Sequence, residues 1–304
     1  MTHPLVTTVI ATRDRPELVR KAVDSVLAQD YPGELEVVLV YDQSEPDLSM
    51  AREEPGRTVR VVTNERTPGL AGARNTGVLA ARGDWVAFCD DDDWWREQKL
   101  SRQMAAALAE PESHLVTCSI EVAYDGQLSV RKAGTDRVTH AQLLRSRMSM
   151  LHSSTFLFRR SSLVGPIGLV DEDVPGSQNE DWDLLLRASA VAPIVHVDEP
   201  LVVVLWGTTS FFSRTWETKV SSLHWMLQRH PGIGADRKAA GRVYGQIAFG
   251  EASQGHRKVA NRWARRALRN DPLQWRALVA FAVAGRVVTP DRVLDTLHRY
   301  GRGV

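Results

Sequence analysis

The stretch Trp85-Val86-Ala87-Phe88-Cys89-Asp90-Asp91-Asp92-Asp93-Trp94-Trp95 decides how the rest of the chain is read. Its apolar start reads as a buried strand, and four carboxylates follow at the strand's end. Two unit charges about 4 Å apart at an effective dielectric near 20 repel by roughly 4 kcal/mol, so such a tetrad calls for a cation. Mg²⁺ and Mn²⁺ prefer hard oxygen ligands and are often held by one or two carboxylates plus substrate phosphates. The plainer alternative is a hydrated acidic loop in which Asp93 caps a helix starting near Arg96.

Outward from that stretch, strand and helix patterns alternate. Leu5 to Ala11, Leu35 to Tyr41, Val59 to Thr63 and Trp85 to Cys89 read as strands, and Pro16 to Ala28 and Leu70 to Ala81 as helices. Such alternation implies a parallel sheet with right-handed crossovers, whose ligands bind outside the carboxyl ends of the strands. Polar residues gather at those ends: Thr12 to Asp14, Asp42 to Ser44, Asn64 to Gly69 and Asp90 to Asp93. Each group could equally be a turn or cap, but four in succession point to one site. The loop from Asn64 to Gly77 adds Gly69 and Gly72 beside a helix N-terminus, where free amides favour anions, and the cation Arg74. It lacks both the Gly-Lys-Ser/Thr ending of a P-loop and the spacing of a dinucleotide fingerprint.

Composition bounds the class. With 304 residues, 43% hydrophobic and 25% charged, the chain can bury a full core and form one large domain or two smaller ones. The net charge of +1 gives no whole-molecule field for nucleic acid, and no nucleic-acid partner is expected. The distribution is uneven: fourteen Lys/Arg face five Asp/Glu from residue 235 to 304, leaving the first 234 residues acidic. Cys89 and Cys118, both in apolar surroundings, make no disulfide framework, so a cytoplasmic setting is expected. The N-terminus lacks the basic region and cleavage-like site of a secretion signal. The longest apolar run, Ala277 to Ala284, is far short of the roughly 20 residues a spanning helix needs, so membrane contact is expected to be peripheral at most.

Six motifs in order resemble those of the inverting glycosyltransferases of family 2, across roughly residues 4 to 215. They are Thr8 to Pro16, Ser25-Val26-Leu27-Ala28-Gln29, Val40-Tyr41-Asp42-Gln43-Ser44, Gly69 to Gly77, Phe88 to Trp94, and Asn179-Glu180-Asp181-Trp182-Asp183-Leu184-Leu185-Leu186-Arg187. The resemblance implies an α/β fold of GT-A type, a mostly parallel sheet flanked by helices, over residues 1–215, with a helical C-terminal region at 216–304. It further implies metal-dependent, inverting transfer of a sugar from a nucleoside-diphosphate sugar to an acceptor hydroxyl. Thr12 and Asp42 would border the nucleobase, Arg74 would help bind the nucleotide, and Asp91 would lie near the ribose. Asp90 and Asp92 match the family's motif for a divalent metal, Mn²⁺ or Mg²⁺. Asp181 matches the general base, with Glu180 in reserve. An Asp at position 42 suits a pyrimidine imide, which favours UDP or dTDP.

Two departures from the family stand out. Ala11, Arg13 and Asp14 occupy an opening turn where relatives commonly carry proline, tyrosine and asparagine. The last core strand, Leu201 to Leu205, is followed by Trp206-Gly207-Thr208-Thr209-Ser210 without the histidine that many relatives use as a metal ligand, so metal is expected to bind weakly until nucleotide arrives. His152 reads as a hydrogen-bonded structural histidine. Without the resemblance, Asn179 would be an N-cap and Glu180, Asp181 and Asp183 the acids of a first helical turn; Asp183 is expected to face solvent or cap.

Asp125-Gly126 marks a hairpin between Leu115 and Phe158, a segment expected to complete the sheet. Of Trp94, Trp95, Trp182 and Trp206, all at motif edges, one or two are expected to meet ligand and the rest to be core. Beyond Trp216 the pattern is helical: Trp216 to Arg229, Arg237 to Ser253, His256 to Asn270, Leu273 to Ala284 and Pro290 to Tyr300. Ala248 to Pro272 is similar to a single tetratricopeptide-like helical pair, fewer repeats than a free-standing array needs. These helices are expected to pack on the catalytic domain or a second subunit, and the basic run His256 to Arg266 to be a solvated face or to lie on an anionic membrane. Two rival functions are a nucleotidyltransferase and a non-catalytic sugar-nucleotide-binding scaffold. The first would carry a basic, glycine-rich signature after the first strand, and Thr12-Arg13-Asp14-Arg15-Pro16 has no glycine; the second has no need of Asp92 and Asp181 together.

Overall fold

The computed structural model describes residues 3–206 and 216–299. Eleven strands form one sheet: β1 Val6–Thr12, β2 Leu35–Tyr41, β3 Arg52–Glu54, β4 Arg57–Thr63, β5 Trp85–Asp90, β6 Trp94–Trp95, β7 Leu115–Tyr124, β8 Gln127–Arg131, β9 Arg137–Val138, β10 Leu157–Arg159 and β11 Ile194–Leu205. The helices are α1 Pro16–Leu27, α2 Leu70–Ala80, α3 Lys99–Ala109, α4 His140–Arg145, α5 Arg160–Leu163, α6 Glu180–Val191, α7 Trp216–Arg229, α8 Pro231–Ala235, α9 Arg237–Ser253, α10 Arg257–Asn270, α11 Trp275–Ala284 and α12 Pro290–Arg299.

The chain divides into two compact units, the first made of Met1–Leu143, Arg147–Glu172 and Glu180–Ser210, the second of Leu144–Ser146, Asp173–Asn179 and Phe211–Val304. In the first unit the sheet order is β3-β4-β2-β1-β5-β10-β7-β11-β6. Pairing is parallel through β4, β2, β1 and β5; β1, β2 and β5 are near-continuous runs buried on both faces, as such pairing favours, while β4 is mostly half-buried. Beyond β5 the sheet is mixed, because β10 inserts antiparallel between β5 and β7, and only β7 and β11 pair parallel there. The hairpin at Asp125-Gly126 joins β7 to β8 as the turn signal predicts. The short hairpin of β3 with β4, turning at Gly56, has no counterpart in the sequence reading.

Strand order reverses between β1 and β5: β2 and β4 lie to one side of β1, and β5 to the other. Open α/β sheets bind ligands at such a switch point, outside the carboxyl ends of the strands. The helix expected near Arg96 begins instead at Lys99, because Trp94–Trp95 is drawn into the sheet as an antiparallel partner of Val202 and Val203.

The second unit is helical. α9 is its central helix, with α10 and α11 packed on it through small residues: Ala260, Ala264, Ala267, Ala277 and Ala280 are all buried. The helical spans agree with the sequence pattern within two residues, and the short α8 is additional; Tyr300 lies outside the described residues. No described helix is long and apolar enough to cross a membrane.

Candidate functional site

Directly after β2 comes Asp42, a buried carboxylate that closes the turn it starts. It accepts from the Gly69 N–H (3.0 Å), Asn64 Nδ2 (2.8 Å) and Gln43 Nε2 (2.9 Å). Gly69 has φ of 120°, a backbone region that side chains oppose, and a Cβ on Gly72 would sit 1.9 Å from the Thr67 carbonyl oxygen. Both positions therefore require glycine for the loop to fold back over Asp42. Beside it lies a cavity of about 410 Å³ lined by Asp42, Gln43, Ser44, Thr63, Asn64 and Arg66 among others.

At the switch point, Thr12 Oγ1 donates to Asp91 Oδ2 at 2.8 Å, tying the end of β1 to the end of β5. Arg15 adds 3.0 Å contacts to both Asp91 and Asp92. Burial, followed by repulsion from Asp93, Asp90 and Asp91, pushes the Asp92 carboxyl up to about 7 despite Arg15. Burial also raises Asp91, against the pull of Thr12 and Arg15. Asp90 moves the other way: burial works against its charge, but Arg74 and His152 hold it below the ordinary carboxylate range.

Arg74 joins this tetrad to α6. Its buried guanidinium donates from one nitrogen to Asp90 and from another to Glu180 at 2.7 Å. The first turn of α6 holds three buried acids, each facing an arginine: Glu180 faces Arg74, Asp181 faces Arg147, and Asp183 faces Arg187 at 2.8 Å. Burial and neighbouring Asp181 lift Glu180 to about 7. Burial opposes the charge on Asp181 as well, but Arg147 outweighs it and keeps the carboxyl below its usual range.

Asp93 differs from the sequence reading. Asp93 caps no helix: it is buried, accepts from Ser154 Oγ and from the Leu205 N–H at 3.1 Å, and lies 3.3 Å from His152 Nδ1. His152 is hydrogen-bonded as expected, accepting from the Ser154 N–H and lying against Asp93, and ligand atoms of Asp90, Asp93 and His152 also lie within 4.8 Å of one another. Burial disfavours charge on the imidazole, but Asp93, with Asp90 and Asp181, holds it up to about 9. This histidine comes from the segment before β10. The part of the chain lacking the expected late histidine, residues 207–215, lies outside the described residues.

Asp183 also departs from expectation. It neither faces solvent nor caps; it is fully buried and orients Arg187, which donates to the carbonyls of Ile167, Gly168 and Leu169. Asn179 has φ of 67°, not the extended backbone of an N-cap, and its amide donates to Ser222 Oγ. Trp95 and Trp182 are core, while Trp94 and Trp206 are half-buried with Lys21 and Arg131 over their rings. Arg147 carried no sequence signal.

The site therefore joins Thr12, Arg74, Asp90 to Asp93, His152, Glu180 and Asp181 in one network at the strand ends, with Asp42 linked to it through the Gly69 loop. Residues 7–164 match the family described as Glycosyl transferase family 2. The chain belongs to that family. Among curated relatives, the succinoglycan biosynthesis protein ExoO of Rhizobium meliloti (strain 1021) is 39% identical over 107 residues, 34% of this chain and 30% of its own length. The Escherichia coli protein WfgD, named as a UDP-Glc:alpha-D-GlcNAc-diphosphoundecaprenol beta-1,3-glucosyltransferase, is 27% identical over 142 residues, 47% of this chain and 56% of its own length. The matched stretch thus spans from about a third to just over half of those two relatives. Among solved structures, residues 1–349 of S. aureus TarS in complex with UDP-GlcNAc align over 99% of this family 2 chain and 93% of theirs, with a TM-score of 0.66 and 18% identity. The mannosyltransferase PcManGT of Pyrobaculum calidifontis, in complex with GDP-Man and Mn2+, aligns over 98% of this chain and 84% of its own, with a TM-score of 0.59 and 20% identity. Both likenesses support the GT-A type of fold expected from the sequence.

Proposed function

We propose that this family 2 chain transfers a sugar, with inversion, from a nucleoside-diphosphate sugar to an acceptor hydroxyl, and that it depends on a divalent metal. The observation that carries the proposal is Arg74, which bridges Asp90 of the acidic tetrad and Glu180 of α6, so that the diphosphate-binding strand ends and the acids of α6 form one site. The cavity beside Asp42 is the proposed seat of the nucleobase, with Thr12, whose carbonyl accepts from the Asp42 N–H, bordering the base and Asp91 toward the ribose. UDP or dTDP is favoured because the Asp42 carboxylate suits a pyrimidine imide, and the name of WfgD and the TarS complex both involve uridine nucleotides.

Asp181 is the proposed general base. Held ionised by Arg147, it takes the proton of the acceptor hydroxyl as that oxygen bonds to the anomeric carbon. The bond from that carbon to the diphosphate oxygen breaks in the same displacement, and the nucleoside diphosphate leaves on the opposite face. Asp90 and Asp92 would hold the metal, and Asp93 and, once it gives up its proton, His152 lie close enough to Asp90 to add a carboxylate oxygen and an imidazole nitrogen, donors that suit Mn²⁺. Burial, with repulsion from Asp93, Asp90 and Asp91 added to it, lifts Asp92 to about 7, and a cation at this cluster would relieve both. The metal's contribution when bound is to neutralise charge on the departing diphosphate. A cytoplasmic setting is part of the same proposal, supported by two buried free cysteines.

Calorimetric titration with UDP, dTDP and GDP, each with Mn²⁺ and with chelator, tests the reading. Metal-dependent binding of one uridine or thymidine nucleotide supports it. Failure of all three to bind would overturn it in favour of a scaffold without nucleotide.

A further inference from the structure

Most arginines of the first unit have acidic partners, among them Arg15, Arg20, Arg60, Arg66, Arg74, Arg96 and Arg147. α10 in the second unit is built otherwise. One side, Ala260, Ala264 and Ala267, is buried in the helical core. On the opposite side Lys258, Arg262, Arg265 and Arg269 recur at i, i+4, i+7 and i+11, so all four line one exposed stripe. None of the four has an ion-pair partner among the described residues, and the helix contains no Asp or Glu. Arg266, next to the stripe, is used internally, stacked over Trp263 at 4.6 Å and Tyr244 at 5.1 Å.

This arrangement works against the helix that carries it. Like charges at i, i+3 and i, i+4 are destabilising, and Arg257 and Lys258 stand at the positive end of the helix dipole. A face meant only for water would be better served by interspersed signs. A stripe of one sign is relieved when it meets an extended anionic surface.

We propose that the outer face of α10 docks on an anionic lipid surface. Exposed apolar residues in the same unit favour lipid over nucleic acid. Leu273, four residues beyond Arg269, is 89% exposed; Leu278 on α11 is 58% exposed and Val287 beyond it 83%. Cations at the headgroup level with leucines reaching the acyl boundary is how amphipathic helices bind at an interface. Nucleic acid would draw on the cations and leave those side chains in water. The proposal concerns the second unit alone and stands whatever the first unit binds.

Co-sedimentation with vesicles of 30% phosphatidylglycerol in phosphatidylcholine, and of phosphatidylcholine alone, tests it at 50 and 500 mM NaCl. The full chain binds the anionic vesicles at low salt, releases at high salt, and does not bind the neutral ones. Each basic residue near such a surface contributes about fivefold, equivalent to about 1 kcal/mol. The triple variant Arg262→Gln, Arg265→Gln, Arg269→Gln therefore loses roughly 100-fold, with helicity and UDP binding unchanged. Leu273→Ser weakens binding a few-fold and leaves the salt dependence intact. Absence of binding to anionic vesicles at 50 mM salt, equal binding to neutral vesicles, or a triple variant that binds like the parent would each overturn the proposal. So would a DNA duplex that binds through the same arginines when vesicles do not.

Discussion

Lys99→Met is expected to stabilise the protein at neutral pH and to lose that advantage in alkali. Lys99 begins α3, is fully buried, and its ammonium has no hydrogen-bond partner; the Trp95 ring lies 3.5 Å from Nζ. Burial lowers its pKa from the ordinary 10.5 to about 8, with Cys118 and Cys89 opposing only weakly. At 1.36 kcal/mol per pH unit that drop corresponds to about 3 kcal/mol of destabilisation when the group is charged. The Trp95 face returns about 1 kcal/mol of it as a cation–π contact, leaving about 2 kcal/mol. The sign follows from proton counts. Below pH 8 both states hold the proton and the folded state bears the full cost. Between about pH 8 and 10.5 the unfolded chain keeps its proton while the folded chain releases it, so wild-type stability from this group rises with pH. Methionine has similar length and nothing to titrate. Urea unfolding followed by tryptophan fluorescence at pH 7, 8, 9 and 10 should give a variant about 2 kcal/mol more stable at pH 7, converging on the parent by pH 10. A difference constant with pH, or a variant less stable at pH 7, would refute the claim that Lys99 is an uncompensated buried charge.

The site supplies the remaining expectations. Asp181→Asn should cut donor turnover by about 10² to 10⁴ while nucleotide affinity in calorimetry stays within about twofold, as removal of a general base requires; turnover within tenfold of the parent would exclude Asp181 from that role. Asp183→Asn, three positions from Glu180 on the same helix, should do the reverse, lowering the urea midpoint by the equivalent of about 3 kcal/mol because Arg187 loses its buried partner, with turnover per folded molecule preserved. Arg74→Met should destabilise by about 3–5 kcal/mol at pH 7, since Asp90 and Glu180 are left buried and facing each other without a cation. Asp90 then loses the cation that holds it below its ordinary range, and Glu180, already lifted to about 7, is pushed further up, so the deficit should shrink as pH falls to 5. Equal deficits at the two pH values in urea melts would mean that the pairs are not ionic.

Legibility in the sequence followed the range of each interaction. Strands β1, β2, β4 and β5 and the helices α7 and α9 to α12 were readable because burial imprints a period of two, a continuous apolar run, or 3.6 on consecutive residues. Thr12, Asp42 and Asp90 to Asp93 could be proposed for a site because strand order in an open α/β sheet fixes where ligands go, and the β1–Asp91 contact at the switch point agrees with that rule. Glu180, Asp181 and Asp183 were visible as acids of one helical turn, yet their sequence spacing did not separate them.

What distinguished them was the arginine each one meets, and two of the three arginines lie outside the helix. Asp183 looked solvent-facing because nothing local reveals the carbonyls of Ile167, Gly168 and Leu169 that surround Arg187. Asp93 looked like a cap until Trp94–Trp95 paired with β11, about 110 residues later in the chain, and brought the Leu205 amide to its carboxylate. His152 and Ser154 reach Asp90 and Asp93 because β10 runs antiparallel to β5 with Leu157 opposite Ala87, a register that carries the preceding residues toward the acidic end of β5. The sequence by itself determined which residues are apolar, where the elements begin, and which polar residues collect at strand ends, since these depend on neighbours within one turn or one strand. Only the tertiary structure decided which charges face each other, because those partners are chosen by sheet order and register across tens of residues.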